Sequence, residues 1–537
     1  MRKGFFHVLL NSIMLSLFRF NHPVAYLILL FLAFVVRLPS LNTDVLSQEE
    51  NLLLNTVIRM DQGHTLYSET LSSVPPLLAG FWYFFYALFG NDCVMAIRMF
   101  SCIYLFLCAF FFNQLIHDFR LSRDKTLFPG VLFLSAVSFP WYAQQVTGEM
   151  LMLLPLLSSV YLLIRSFEEG VKPLSLLLMV GMLTSVSVLL EYQSVLYYFA
   201  ILLIYFIMRP ARLEEIVTLI IGFFLPLFFC ALTLAYNNAL SSWTQDSVLY
   251  RLDEFINPQL VFKPIIEEGH KIESLMALLC LLLPLIGGFL SFRIGGLGLN
   301  IRQRKIESVM AIWMVVSILM LLILGLFRHD NPVIVVIFPI VFYIWRFFMN
   351  KMNRMLHFLL FLLVFAYPIF SSIQFYYVRN VNTYSNFTEL NTVNRNVFLH
   401  RLISPPTDLQ SEIKLIQKLS GKTYPKVWML GKQVGLSALK DIAPGIGFID
   451  YFQFVNKLDF IPQNQSRSLF SSEWTLRDVY IRIEKEKPDY ILDDGNIFPV
   501  LKDYLPVLLK DYTLIIQEPI PLYGLVTQEE SSTKPIY

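Results

Sequence analysis

The sequence predicts a polytopic α-helical membrane protein of about eleven spans, followed by a C-terminal extracytoplasmic α/β domain. Three observations carry that reading. Of 537 residues, 56% are hydrophobic, 15% are charged and 48 are Phe, with a mean hydropathy of +0.58. A soluble chain of this length needs far more charge on its surface. Apolar runs long enough, or nearly so, to cross a ~30 Å hydrocarbon core recur through the first two-thirds of the chain. From Val378 onward polar and charged residues dominate, and short apolar strands alternate with amphipathic helices.

The spans are expected near 23–40, 93–117, 127–142, 149–166, 174–190, 193–209, 215–236, 272–292, 307–327, 332–349 and 356–377. The breaks between them order the topology, because cytoplasmic loops are rich in Lys and Arg. One set holds Arg120, Arg123 and Lys125, then Arg165 and Lys172, then Arg209 and Arg212. It continues with Arg293, Arg302, Arg304 and Lys305, and ends with Arg346, Lys351 and Arg354. The alternate breaks are acidic, neutral or long. The two sets interleave only if Pro75 to Phe89, which opens with Pro-Pro, lies on the membrane surface instead of crossing. This places the N-terminus inside and the C-terminus outside. Arg2 and Lys3 precede an apolar stretch without a small-residue cleavage site, which reads as an uncleaved start or signal anchor.

Residues 1–377 are therefore expected as the membrane domain, with 41–92 its first outer loop, and 378–537 as the extracytoplasmic domain. In the latter, Ser411–Leu419, Thr475–Glu486 and Phe498–Leu509 read as helices. Lys426–Leu430, Asp489–Leu492 and Tyr512–Ile516 read as strands. No glycine loop that would cradle phosphates is present, which argues against a nucleotide-driven enzyme. A net charge of +2 gives no support for a nucleic-acid partner. The five cysteines lie in or beside apolar segments and read as small buried hydrophobes, with no disulfide framework.

Chemistry concentrates in the first outer loop. Glu49 and Glu50 are adjacent carboxylates just beyond the first span, where a membrane surface lowers the effective dielectric and tunes a carboxylate toward general-base work. Glu69 adds a third carboxyl after the Gly63-x-x-x-Tyr67 turn, and Pro75-Pro76 starts the surface helix. Phe89-Gly90 and Arg98 follow.

This run resembles the signature of GT-C glycosyltransferases of the protein-O-mannosyltransferase and lipid A aminoarabinose transferase type. In that pattern an acidic pair precedes Gly-x-x-x-Tyr-x-Asp, then a basic residue with Pro-Pro-Leu, then Phe-Gly and an Arg. The intervals Glu50 to Gly63, Gly63 to Tyr67, Tyr67 to Glu69 and Glu69 to Pro75 keep the family's spacing. Glu49 stands for the family's Asp, Glu69 for its second Asp, and Val74 for its Lys or His. The acid swaps keep the chemistry and lengthen each arm by a methylene, and Val74 removes a candidate substrate contact. The resemblance extends to the plan of the C-terminal domain, including Lys-Pro-Asp-Tyr-Ile at Lys487 to Ile491.

The resemblance implies an inner-membrane enzyme that moves a sugar from a polyprenyl-phosphate donor to a lipid, glycan or protein acceptor on the outer face. It makes Glu49 the base that takes the acceptor proton and Glu50 an orienting or binding partner. Tyr67, Glu69, Arg98, Glu149, Arg328 and His329 become substrate-binding candidates, with Arg328 preferred over His329 for the lipid phosphate. Glu149 opens the fourth span where the family often carries an acid, although a carboxylate is favourable at any helix N-terminus. Glu191 reads as interfacial. The loop Asn237 to His270 is long enough to act as a lid. No cofactor or metal is demanded, though Glu50 with Glu149 could hold a divalent cation. A transporter or flippase would show matching halves with broken spans, and the sequence has no such symmetry. A ligase or polymerase of lipid-linked glycans shares the cavity plan and stays open as an alternative.

Overall fold

The computed structural model describes residues 23–41, 48–70, 72, 74–118, 127–137, 146–168, 173–208, 212–249, 301–320, 338–339, 341–343, 426–430, 443–444, 484–485, 487–493, 498–499, 502, 509–516 and 522–525. These group into two compact units. Residues within Met1–Asn42, Ile97–Cys230 and Glu254–Ile403 form the first. Residues within Thr43–Ala96, Ala231–Asp253 and Ser404–Tyr537 form the second.

The helices are, in chain order, α1 (Pro23–Leu41), α2 (Gln48–Asp61), α3 (Pro76–Phe89), α4 (Cys93–Asp118) and α5 (Phe128–Val137). Then follow α6 (Gly148–Leu151), α7 (Leu153–Ser166), α8 (Pro173–Leu190), α9 (Val195–Met208), α10 (Leu213–Tyr236) and α11 (Ile301–Met320). Proline sits in the first turn of α1, α3, α5 and α8, where its missing N–H costs nothing. Among the described residues four helices are long and apolar enough to cross a membrane: Cys93–Asp118, Gly148–Ser166, Pro173–Leu190 and Leu213–Tyr236. They coincide with four of the expected spans. The spans expected at 272–292 and 356–377 lie outside the described residues, as does most of 332–349.

In the first unit the core is aromatic. Phe112 of α4 stacks on Phe133 of α5 at 5.5 Å between centroids, and Phe133 stacks on Phe338 at 4.8 Å. Trp313 of α11 joins this cluster and meets Tyr197 of α9, whose hydroxyl hydrogen-bonds Ser317 at 3.0 Å. Such ring pairs add to burial where lipid supplies no hydrophobic push between helices. Asn113 Oδ1 accepts the Gly130 N–H at 3.2 Å, satisfying an orphan donor in the first turn of α5. On α8, Thr184 donates to the Val180 carbonyl at 2.6 Å and Ser187 to the Leu183 carbonyl at 3.1 Å. On α10, Val217, Ile220, Ile221, Phe224, Phe228 and Leu232 form an exposed apolar stripe. In water this stripe would be an aggregation liability, and in a bilayer it is a lipid-facing surface.

In the second unit the strands β1 (Lys426–Leu430), β2 (Ala443–Pro444), β3 (Tyr490–Asp493), β4 (Tyr512–Ile516) and β5 (Leu522–Leu525) make one sheet in the order β2-β1-β3-β5-β4. β1 runs parallel to β2 and β3, whereas β5 is antiparallel to β3 and β4. Strands expected at 426–430, 489–492 and 512–516 are present, each within a residue. Asp489 locks the sheet's centre: its carboxylate accepts the Lys426 N–H at 2.9 Å and its carbonyl accepts the Leu525 N–H at 3.1 Å. The helix expected at 411–419 lies outside the described residues. Of those at 475–486 and 498–509, only Glu484, Lys485, Phe498, Pro499, Lys502 and Leu509 are described, and all are helical.

Candidate active site

The acid pair, expected in the first outer loop, opens a helix. α2 begins at Gln48, so Glu49 and Glu50 occupy its first turn, where the unpaired N–H groups and the helix dipole favour carboxylates. Glu50 is 1% exposed and lies on the face that also buries Leu53, Leu54 and Val57. The side chain of Glu49 lies outside the described residues. α2 is stitched to the turn that follows it: Thr56 Oγ1 donates to the Leu52 carbonyl at 2.8 Å and meets Ser72 Oγ at 3.3 Å.

The motif glycine and tyrosine build that turn. Gly63 has φ of +90° and Tyr67, unusually for a side chain of its size, +68°. Tyr67 is 0% exposed. Its N–H donates to the Thr70 carbonyl at 3.0 Å and its hydroxyl to the Val74 carbonyl at 2.6 Å. The phenol is thus committed to the chain itself, drawing Val74 and the Pro75-Pro76 start of α3 toward the end of α2. Tyr67→Phe leaves the buried Val74 carbonyl without this donor. It should lower stability by about 1–3 kcal/mol. The expected result is a lower melting temperature and faster proteolysis between residues 62 and 75; an unchanged melting temperature would show that the phenol does not hold the loop.

Glu69 is exposed and works locally. Its Oε2 accepts the Thr65 N–H at 2.8 Å and the Thr65 hydroxyl at 3.2 Å, and lies 3.9 Å from His64 Nδ1. The Thr65 backbone hydrogen bond is the main cause that holds the carboxyl below its ordinary pKa, aided by the Thr65 hydroxyl and the charges of His64 and Lys485 against a smaller burial effect. A depressed folded-state pKa gives a contribution present above the ordinary carboxylate value and lost as pH falls through the lowered one. Amide exchange at Thr65 should therefore stay slow from neutral pH down to about 4.5 and speed up below it. In Glu69→Gln exchange should be faster already at neutral pH, and equal protection in both proteins would remove the carboxylate from the turn.

In the first unit, Arg98 is 1% exposed on α4, and its carbonyl accepts from Ser101 Oγ at 2.6 Å. Glu149, in the first turn of α6, is 3% exposed. Sequence reasoning passed over a further buried arginine of this unit. Arg37, near the end of α1, is 0% exposed and donates from Nη2 to Met150 Sδ at 3.2 Å. Arg328 and His329, expected at the phosphate, lie outside the described residues, as does the proposed lid beyond residue 249. Glu191, read as interfacial, is half-buried at the turn between α8 and α9. Among the described residues, no group of three or more His, Cys, Asp or Glu side chains could hold a metal ion.

No protein-family model and no curated protein matches the chain. Among solved structures, ArnT from Cupriavidus metallidurans bound to undecaprenyl phosphate is similar with a TM-score of 0.52 at 11% identity, over 94% of this chain and 99% of that one. The same protein in its apo state gives a TM-score of 0.43 at 12% identity, over 93% of this chain and 97% of that one. The likeness the first-loop motif implies is thus found in the fold, which resembles that of ArnT, a GT-C lipid A aminoarabinose transferase.

Proposed function

We propose that this chain is a multi-pass inner-membrane glycosyltransferase that transfers a sugar from a polyprenyl-phosphate donor to a lipid, glycan or protein acceptor on the extracytoplasmic face. The observation that carries the reading is the acid pair Glu49-Glu50 in the first turn of α2, kept at family spacing from the Gly63–Tyr67 turn and the Pro75-Pro76 start of α3. The ArnT-like fold supports it, and the undecaprenyl phosphate bound to that neighbour suggests the carrier class. In this proposal the N-terminus is cytoplasmic and about eleven spans carry the chain to an outer C-terminal domain.

The reaction is a single displacement. Glu49 takes the proton of the acceptor hydroxyl as its oxygen attacks the anomeric carbon from the face opposite the phosphate. The bond between that carbon and the phosphate oxygen breaks, its electron pair leaves with the lipid phosphate, and the anomeric configuration inverts. Glu50, buried beside the base, orients it or the acceptor. Negative charge gathers on the departing phosphate, so Arg328, with His329, is assigned to meet it. The test is to incubate the purified protein with a panel of polyprenyl-phosphate sugars and measure release of lipid phosphate. Release with one sugar and an added acceptor supports the reading, and no release from any donor in the presence of membrane-extracted acceptors overturns it.

A further inference from the structure

The span that opens at Gly148 is interrupted after four residues, where α6 gives way to α7 at Met152. Pro155 follows in the first turn of α7. Proline has no N–H, so the Leu151 carbonyl lacks the donor that a continuous helix would place four residues on. Tyr104 of α4 fills that gap. Its buried hydroxyl donates to the Leu151 carbonyl and accepts the Leu154 N–H at 3.2 Å. On either side the backbone ladder runs on: Leu151 donates to Thr147 at 3.1 Å, Met152 to Gly148 at 2.9 Å, and Leu156 to Met152 at 3.1 Å. The Tyr104 ring packs on Phe100, one turn back on α4, with centroids 6.0 Å apart. One hydroxyl from a neighbouring helix thus holds both edges of the interruption, and a side chain inserted into the ladder is one of the few causes that fix a helix break in place.

The short segment ahead of the break carries the polar groups. Glu149 is 3% exposed and Thr147 is 0% exposed. Thr147 stands at the N-cap of α6, yet its hydroxyl does not cap the helix and has no hydrogen-bond partner among the described residues. A buried hydroxyl left open in apolar surroundings is costly, and it fits a turn whose polar groups are kept for a ligand. An unbroken helix would satisfy its own backbone here; this chain instead carries both the proline that opens the ladder and the tyrosine that closes it. We propose that Tyr104 is a positioning residue: by clamping the break at Met152 it holds the turn that bears Glu149 where this carboxyl meets the hydroxyls of the donor sugar. This rests on the function proposed above, in which Glu149 binds substrate.

The experiment uses purified full-length protein, with melting temperature and the kinetics of lipid-phosphate release read side by side on the polyprenyl-phosphate sugar that wild type accepts. Tyr104→Phe keeps the ring and removes the hydroxyl. It should lower the melting temperature and raise KM for the donor about 10-fold with a smaller change in kcat, because a displaced binding group weakens substrate capture first. Pro155→Ala returns an N–H to the Leu151 carbonyl, so the double variant Tyr104→Phe/Pro155→Ala should recover melting and supplies folded protein even if Tyr104→Phe alone does not fold. Its KM should stay raised, since the turn is no longer clamped. A double variant with wild-type KM overturns the positioning role, the hydroxyl then serving stability alone. Glu149→Gln should raise KM by itself, and adding Tyr104→Phe should raise it little further if the tyrosine acts through Glu149. Two effects that multiply in full overturn that route. Both of these failures leave the proposed function standing, whereas wild-type protein that releases lipid phosphate from no donor overturns that function and the role of Tyr104 with it.

Discussion

Glu49→Gln is expected to lower the rate of lipid-phosphate release by about 10²–10⁴-fold, the usual contribution of a positioned general base. The amide keeps the shape of the side chain and its place in the first turn of α2 but cannot take the acceptor proton. Folding should be preserved, because a neutral acceptor is still tolerated at a helix N-terminus. Glu49→Asp restores the acid found in the family at that position and should keep most of the activity, at the expense of reach. Glu50→Gln reads differently. Its carboxyl is buried, so the substitution should affect stability as well as turnover. The pair of results assigns the roles. If Glu49→Gln turns over within a few fold of wild type while Glu50→Gln is inactive but folded, the base is Glu50; if both remain active, the carboxylates are not the reacting groups.

How much of this site was legible follows from the residues themselves. Gly63 and the Pro75-Pro76 pair announce their geometry, because a positive φ and a fixed φ each favour one residue type. α2 was not legible. Its buried face includes Glu50, Thr56 and Arg59 beside Leu53, Leu54 and Val57. Hydrophobic periodicity finds a helix only when its inner face is apolar, and here polar side chains turn inward. Arg37 escaped for a related reason. A lone arginine at the end of an apolar run looks like a charge that has reached the membrane surface, and only packing shows that it is fully enclosed.

The sheet shows the same division. β1, β3 and β4 carry runs such as Lys-Val-Trp-Met-Leu and Tyr-Thr-Leu-Ile-Ile that stand out on their own. β5, Leu-Tyr-Gly-Leu after a proline, resembles a turn. It becomes a strand because β3 and β4 both offer it antiparallel partners. Gly524 marks the close approach: a Cβ there would collide with the side chain of Ile515 and meet the ring of Tyr490 at 3.3 Å.

Gly181 and Gly222 carry the second large effect, on stability. They lie where α8 crosses α10, and the two backbones touch. A Cβ at Gly181 would collide with the Leu219 carbonyl oxygen and sit 2.7 Å from the Phe223 nitrogen. One at Gly222 would collide with the Leu178 carbonyl oxygen and lie 3.1 Å from its carbon. These neighbours are backbone, so no rotamer change relieves the clash and the helices must separate. Each Gly→Ala variant should lose about 1–3 kcal/mol, the range for overpacking a tight contact, and show a lower melting temperature in detergent. The double variant should lose clearly less than the sum, since the first methyl already opens the crossing that the second would have blocked. Gly80→Ala on α3 is the matched control: nothing lies within 4 Å of its Cβ, and replacing a helical glycine there should be neutral or stabilising by about 0.5–1 kcal/mol. A crossing that tolerates both methyls with unchanged melting would mean the helices pack through side chains instead. Lipid tails are as apolar as leucine, so close van der Waals approach is the main force available to hold α8 against α10, and the two glycines are what permit it.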